Sequence, residues 1–259
     1  MIKRRGGVRG LVALGIGLVL ATVSPSTAAE PKPRSLTAGV VFDHFSSTVV
    51  WEGDTEASRV RSSLVSARAG FDLGRDVTLS LTAGLSLSDF NALVFRDLPI
   101  SLEFGSAALK GLALGAELEA VLINFGDFEI GAAGRFVSSF GLARTWPLED
   151  FAVPGEAKGK GNWMEASAGP RLAYRLSRGF VPYLEVAARW LRVDFQMDET
   201  LDDLQGTEKK RVPGDFSFSV SLGGDIRLAE RLMVRAKAGI IPFAGGVDSL
   251  ASVGLVFAF

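Results

Sequence analysis

The chain has 259 residues, a formal net charge of −1, a single histidine and no cysteine. The missing cysteines exclude disulfides, thiol catalysis, Cys-ligated metal and a lipid anchor on cysteine. The near-even balance of 28 basic and 29 acidic residues argues against a basic nucleic-acid-binding surface.

Lys3, Arg4, Arg5 and Arg9 form a basic N-terminal stretch, followed by an apolar run over residues 11–23. Small residues then lead to Thr27-Ala28-Ala29 before Glu30. These are the three parts of a secretory signal peptide, with cleavage expected after Ala29. The apolar run is short of the ~20 residues that a membrane helix needs. The expected division is residues 1–29 as signal peptide and 30–259 as one exported domain, more acidic once four basic residues are gone.

After residue 30 the hydrophobic pattern has period two. Residues 77–88 are the clearest case: Val77, Leu79, Leu81, Ala83, Leu85 and Leu87 alternate with Thr78, Ser80, Thr82, Gly84, Ser86 and Ser88. Side chains alternate across a strand, so one face is apolar and the other small and polar. The pattern predicts strands over 35–45, 59–73, 77–88, 109–122, 128–140, 162–176, 181–195, 215–228, 232–241 and 248–259. Short turns fall near 74–76, 124–127, 177–179 and 229–231. Long connections at 46–57, 89–108, 141–160 and 196–213 alternate with them, and the last outer loop, 242–247, is short. The stretch 98–104 also alternates, and reads as an extension of the fourth strand or part of a folded loop.

The predicted fold is all-β: a transmembrane antiparallel up-and-down β-barrel of about ten strands, with eight or twelve left open. Strands this long, charge in mid-strand, an export signal and alternating loop lengths favour a membrane barrel over a soluble one. An even strand count puts both chain ends on the periplasmic side. Aromatic residues group in two belts. Phe71, Phe125, Phe128, Tyr174, Phe180, Tyr183, Phe257 and Phe259 fall toward the short turns. Phe45, Trp51, Phe90, Phe140, Trp163 and Trp190 fall toward the outer ends. The expectation is a pair of interfacial girdles.

The closing segment 249–259 alternates with Val253, Leu255, Phe257 and Phe259 on its apolar face, and stops on an aromatic. With the signal peptide and the repeated dyads, this ending resembles the small bacterial outer-membrane β-barrel family. That resemblance implies location in the bacterial outer membrane. It also implies that Phe257 and Phe259 act as a recognition signal for the barrel assembly machinery. Outer-membrane lipid and lipopolysaccharide are the remaining expected partners.

On the polar face the register collects Arg68, Glu117, Glu119, Arg135, Arg171, Glu185, Arg189, Asp225 and Arg235, together with Asp72, Glu129, Glu165, Arg175, Arg227 and Lys237. Both signs are present in near balance. Two readings stand: an interior network of paired charges that fills the barrel, or a narrow passive channel tuned by these residues. No metal- or cofactor-binding motif is present, and the acidic and basic residues of 198–211 read as a solvated loop. His44 and Ser46, two apart near an outer strand end, are similar to the His-Ser site of a lipid A deacylase barrel. In such a site histidine is the base and serine the nucleophile. Here the pair falls in the first strand, and no carboxylate shares its face at strand spacing. A third reading gives the work to the long outer loops, as a surface-recognition barrel.

Overall fold

The alternating segments form eleven antiparallel strands in a computed structural model that describes residues 36–74, 76–148, 154–177, 179–243 and 245–259. They are β1 (Leu36–Val50), β2 (Ala57–Asp72), β3 (Val77–Phe95), β4 (Leu102–Phe125), β5 (Phe128–Gly141), β6 (Arg144–Pro147), β7 (Gly155–Tyr174), β8 (Phe180–Leu201), β9 (Leu204–Ala229), β10 (Leu232–Phe243) and β11 (Gly246–Ala258). All but β6 form a closed ring, in which β5 pairs with β7 and β11 pairs back onto β1. The short β6 lies outside the ring, on the outer part of β7. At the seam the Phe259 N–H donates to the Leu36 carbonyl at 2.9 Å. A closed ring leaves no open edge among its strands, which is what a sheet needs in hydrocarbon.

Register carries the apolar face unbroken around the ring. Leu255 sits opposite Val40, Val65 opposite Leu85, Leu85 opposite Leu112, and Leu112 opposite Phe140. These side chains are exposed on the outside. A continuous exposed apolar band of this kind is stable only against lipid. The predicted signal-peptide residues lie outside the described residues.

Toward the outer end the strands keep their period but exchange polarity. On β8, Glu185 and Arg189 point inward while Leu184, Val186 and Trp190 face out; beyond them Leu191, Val193, Phe195 and Met197 are buried, and Arg192, Asp194 and Gln196 face out. β1, β2, β3 and β7 make the same exchange, with Phe45, Val60, Phe90 and Trp163 buried. The reason is the surroundings. Within the bilayer the outside must be apolar; above it the outside meets water, and the inside can hold a hydrophobic core.

That exchange corrects two expectations. The connection 89–108 is mostly strand, since β3 runs to Phe95 and β4 starts at Leu102. The connection 196–213 is a hairpin of β8 and β9 turning at Asp202 and Asp203, with Asp202 at φ 52°. Glu199, Glu208 and Lys210 therefore point inward from strands rather than standing in a solvated loop. An apolar inner face lets the ladders continue past the membrane. The outer aromatic girdle is also corrected: Phe45, Trp51, Phe90 and Trp163 are core residues, and only Phe140 and Trp190 of that set face out. Tyr183, placed in the lower girdle, is likewise buried inside, whereas Phe71, Phe125, Phe128, Phe257 and Phe259 are exposed on the outside.

Candidate functional site

The inner face of the membrane-spanning part is a column of ion pairs. Arg235 and Asp225 face each other on β10 and β9, with Nε to Oδ1 at 2.9 Å. Arg235 also reaches Glu119 on β4, half-way round the ring, at 2.6 Å. Arg171 joins the same group, 2.9 Å from Glu119 and 3.4 Å from Asp225. Its guanidinium lies 3.7 Å from the centre of the Tyr183 ring. Gly223 stands opposite Tyr183, and a Cβ there would lie 2.3 Å from the ring, so only glycine leaves room for it.

Further up, Arg68 pairs with Glu117 at 2.8 Å and Lys237 with Glu185 at 3.3 Å. Arg135 on β5 crosses the ring to Asp43 on β1 at 2.7 Å. Arg189 binds Glu165 at 2.8 Å and reaches Ser47 on β1 at 3.1 Å. Of the fifteen residues that the alternation collects, Arg68, Glu117, Glu119, Arg135, Glu165, Arg171, Glu185, Arg189, Asp225, Arg235 and Lys237 take part in ion pairs of this column. Asp43, Ser47 and Tyr183 are the members that sequence reasoning missed. The signal for Asp43 was its position: one residue from His44, it shares a face with Val41 and Phe45 rather than with the histidine. Arg175 departs from the column. It follows the end of β7, is half exposed, and pairs with Glu129, Nε to Oε1 at 2.7 Å.

Below the column, at the short-turn end, is a cavity of about 310 Å³ lined by Asp76, Thr78, Glu119, Arg171, Asp225, Arg227 and Arg235. Within the column the spaces beside Glu117 and Arg135 shrink to about 30 Å³ each. That is the scale of one or two water molecules.

Above the column sits the apolar plug. Phe45 meets Trp163 edge-on at 4.9 Å, and Phe195 packs on Phe90 at 5.2 Å and Phe95 at 5.8 Å. The two indole N–H groups are satisfied, Trp163 by Ser88 and Trp51 by Ser58, both at 2.9 Å. A lid closes the plug. The Asp97 N–H donates to Glu208 at 2.7 Å and the Ile100 N–H to Glu199 at 3.3 Å, which ties the β3–β4 connection across to β8 and β9. From the other side the β1–β2 connection reaches β9, through the Glu52 N–H on the Arg211 carbonyl at 2.8 Å and Asp54 on Lys210 at 3.2 Å. Burial pushes the Glu199 carboxyl above the usual carboxylate range, and the Ile100 N–H only partly offsets it. On the outer surface burial raises the Asp194 carboxyl, but hydrogen bonds from Arg192 and Arg211 outweigh it and hold Asp194 below that range.

His44 faces out, just above the apolar band. Its Nδ1 is 2.9 Å from Ser63 Oγ on β2, so its hydroxyl partner is Ser63 and not Ser46. Ser46 stands opposite Arg61 and Ser249. Among the described residues no group of three His, Cys, Asp or Glu side chains could hold a metal ion. Phe257 and Phe259 lie exposed at the closing seam.

No protein-family model matches the chain, and no curated protein matches it in sequence. Solved structures do match. The outer membrane protease OmpT of Escherichia coli superposes with a TM-score of 0.55 at 9% identity, covering 91% of this chain and 99% of its own. The translocator domain of the autotransporter NalP of Neisseria meningitidis gives 0.47 at 13%, covering 95% of each chain. The attachment invasion locus protein Ail of Yersinia pestis gives 0.36 at 11%, covering 87% of this chain and 97% of its own. The fold is that of the small bacterial outer-membrane β-barrels, and the exposed apolar band is that of a membrane-spanning barrel. At such identities the likeness speaks for the fold and not for an activity.

Proposed function

We propose that the protein is a closed, non-conducting barrel: a structural component of the outer membrane that carries a rigid cap above the bilayer. One observation carries this reading. The lumen is stopped twice, by ion pairs that cross the ring and by the apolar plug with its tied lid. An ion passing through would have to separate Glu119 from Arg235 and then cross a stretch lined by Phe45, Trp163, Phe90 and Phe195. Charged groups lose their hydration in such a stretch without compensation, at a cost of many kcal/mol. The short turns, Leu36 and Phe259 lie at one end, which on the pattern of such barrels is the periplasmic side. The cavity of about 310 Å³ is then a blind vestibule facing the periplasm.

The test is planar-bilayer recording of the refolded protein. No conductance steps are expected at any applied voltage; reproducible steps from the wild-type barrel would refute the proposal. Among the described residues the outer parts of β3, β4, β7, β8 and β9 are hydrogen-bonded sheet, so a partner that meets them meets a preformed surface.

A further inference from the structure

The vestibule at the short-turn end has room that the column above it lacks. Its volume is about 310 Å³, against about 30 Å³ for each space within the column. The room comes from one wall. Gly131 on β5, Ala173 on β7 and Gly179 just before β8 carry at most a methyl group there. The floor is the cluster of Glu119, Asp225, Arg171 and Arg235, whose charges pair with one another. Val121, Val181 and Met233 make the rest of the sides largely apolar.

Two charges at the mouth stand outside that pairing. Arg227 on β9 and Asp76 just before β3 line the cavity, are exposed, and have no ion pair among the described residues. Their polar neighbours are already engaged: Glu129 accepts from Arg175 Nε at 2.7 Å, and Thr78 Oγ1 donates to Asp72 at 2.9 Å. Strand order keeps the two charges apart. Four strands of the ring stand between β3 and β9 on either side, so Asp76 and Arg227 stand on opposite walls. Both backbones are fixed there. The Val121 N–H donates to the Asp76 carbonyl at 2.7 Å, and the Arg227 N–H to the Gly179 carbonyl at 2.8 Å. A cation and an anion are thus held across the mouth before any ligand arrives, which lowers the ordering cost of binding one.

We propose that the vestibule binds a short zwitterionic peptide with small apolar side chains, its carboxylate on Arg227 and its ammonium group toward Asp76. Arginine presents a planar fork of donors that matches carboxylate oxygens. A ligand with a single charge uses only one of the two groups; a dipolar one uses both. The volume lies at the small end of the ~300–1,000 Å³ usual for small-molecule sites. Three extended residues span roughly 10 Å, which suits a ligand of two or three residues. Methyl-sized side chains fit against Val121, Val181 and Met233. The inference rests on the reading above for which end faces the periplasm, but not on whether the lumen conducts.

The experiment uses the refolded full barrel in detergent micelles. Trialanine, N-acetyl-trialanine and trialanine amide are titrated by ligand-observed NMR, with empty micelles as blank. Wild type is expected to bind trialanine at least about tenfold more tightly than either blocked peptide, since each of those loses one charged contact. Arg227→Gln should erase the advantage over the amide, and Asp76→Asn the advantage over the acetylated peptide. Arg227→Lys keeps the charge but loses the fork, and should give an intermediate loss. Lys209→Gln, outward on β9 at the far end of the barrel, is the control and should change nothing. Heat-modifiable electrophoretic mobility identifies the folded variants. The three peptides on wild type need no variant, so the proposal stands or falls even where a variant does not fold. Equal binding of the three peptides by wild type overturns it, as does no binding of trialanine up to about 10 mM. So does a full advantage over both blocked peptides in folded Arg227→Gln and Asp76→Asn, which would put the site elsewhere, or an equal loss in Lys209→Gln. Bilayer conductance tests the closed-barrel reading separately and leaves these outcomes untouched.

Discussion

Glu119 and Arg235 meet at 2.6 Å from opposite sides of the ring, and Asp225 and Arg171 complete a four-residue cluster about them. Each partner answers the other's charge in a largely buried site at the inner end of the cavity. Removing one strands the rest. Arg235→Ala is expected to cost about 3–5 kcal/mol, the usual penalty for breaking a buried ion pair from one side. The double variant Arg235→Ala with Glu119→Gln should cost less than the sum of the singles. A coupling energy of about 0.5–3 kcal/mol from urea unfolding in lipid vesicles would confirm direct contact; strict additivity would argue against it.

The plug makes a separate claim on stability. Trp163 is buried, packs edge-on against Phe45 and donates to Ser88. Trp163→Ala should cost about 3–5 kcal/mol, and Trp163→Phe should cost less while leaving Ser88 without its indole donor. If conductance is then recorded, neither variant should open the barrel, because the ion pairs below still cross it. Open-channel steps in Trp163→Ala would place the seal in the plug alone.

The lid should respond to pH through Glu199. Its carboxyl titrates above the usual range because it is buried. A group whose folded pKa is raised favours the folded lid most below its unfolded pKa, near 4.5. That contribution is lost as pH rises through the folded value. Amide exchange at Ile100, whose N–H donates to Glu199, should therefore be slower near pH 4 than at pH 7, after correction for intrinsic exchange. Glu199→Gln should remove the difference by staying neutral throughout. A pH dependence that survives in Glu199→Gln would show that another group controls the lid.

Phe259 makes one seam hydrogen bond through its backbone, while its ring is largely exposed. Its loss should therefore cost little in equilibrium stability, of the order of 1 kcal/mol. Deletion of Phe259 is expected to slow insertion in cells far more than it lowers the unfolding midpoint of refolded protein. Normal insertion kinetics with reduced stability would reverse that reading and make the aromatic a packing residue.

Much of this was legible in the chain. Period two over long segments, with polar and charged residues on one side and apolar residues on the other, determines strands and their two faces, because a side chain's face follows from its parity. The charged residues of the column were found this way, from Arg68 to Arg235. Parity could not say what each face meets. At Phe45, Trp51, Phe90 and Trp163 the same alternation carries on with its polarity reversed, and these aromatics look like an interfacial girdle until the height of the bilayer on each strand is known. Which charges pair was likewise hidden. Glu119 and Arg235 are 116 residues apart in the chain, and only closure of the ring brings them together. The sequence by itself determined strands and their two faces, because those depend on neighbours along the chain. The tertiary structure decided which charges pair and where the apolar plug lies, because that depends on which side chains meet across the lumen.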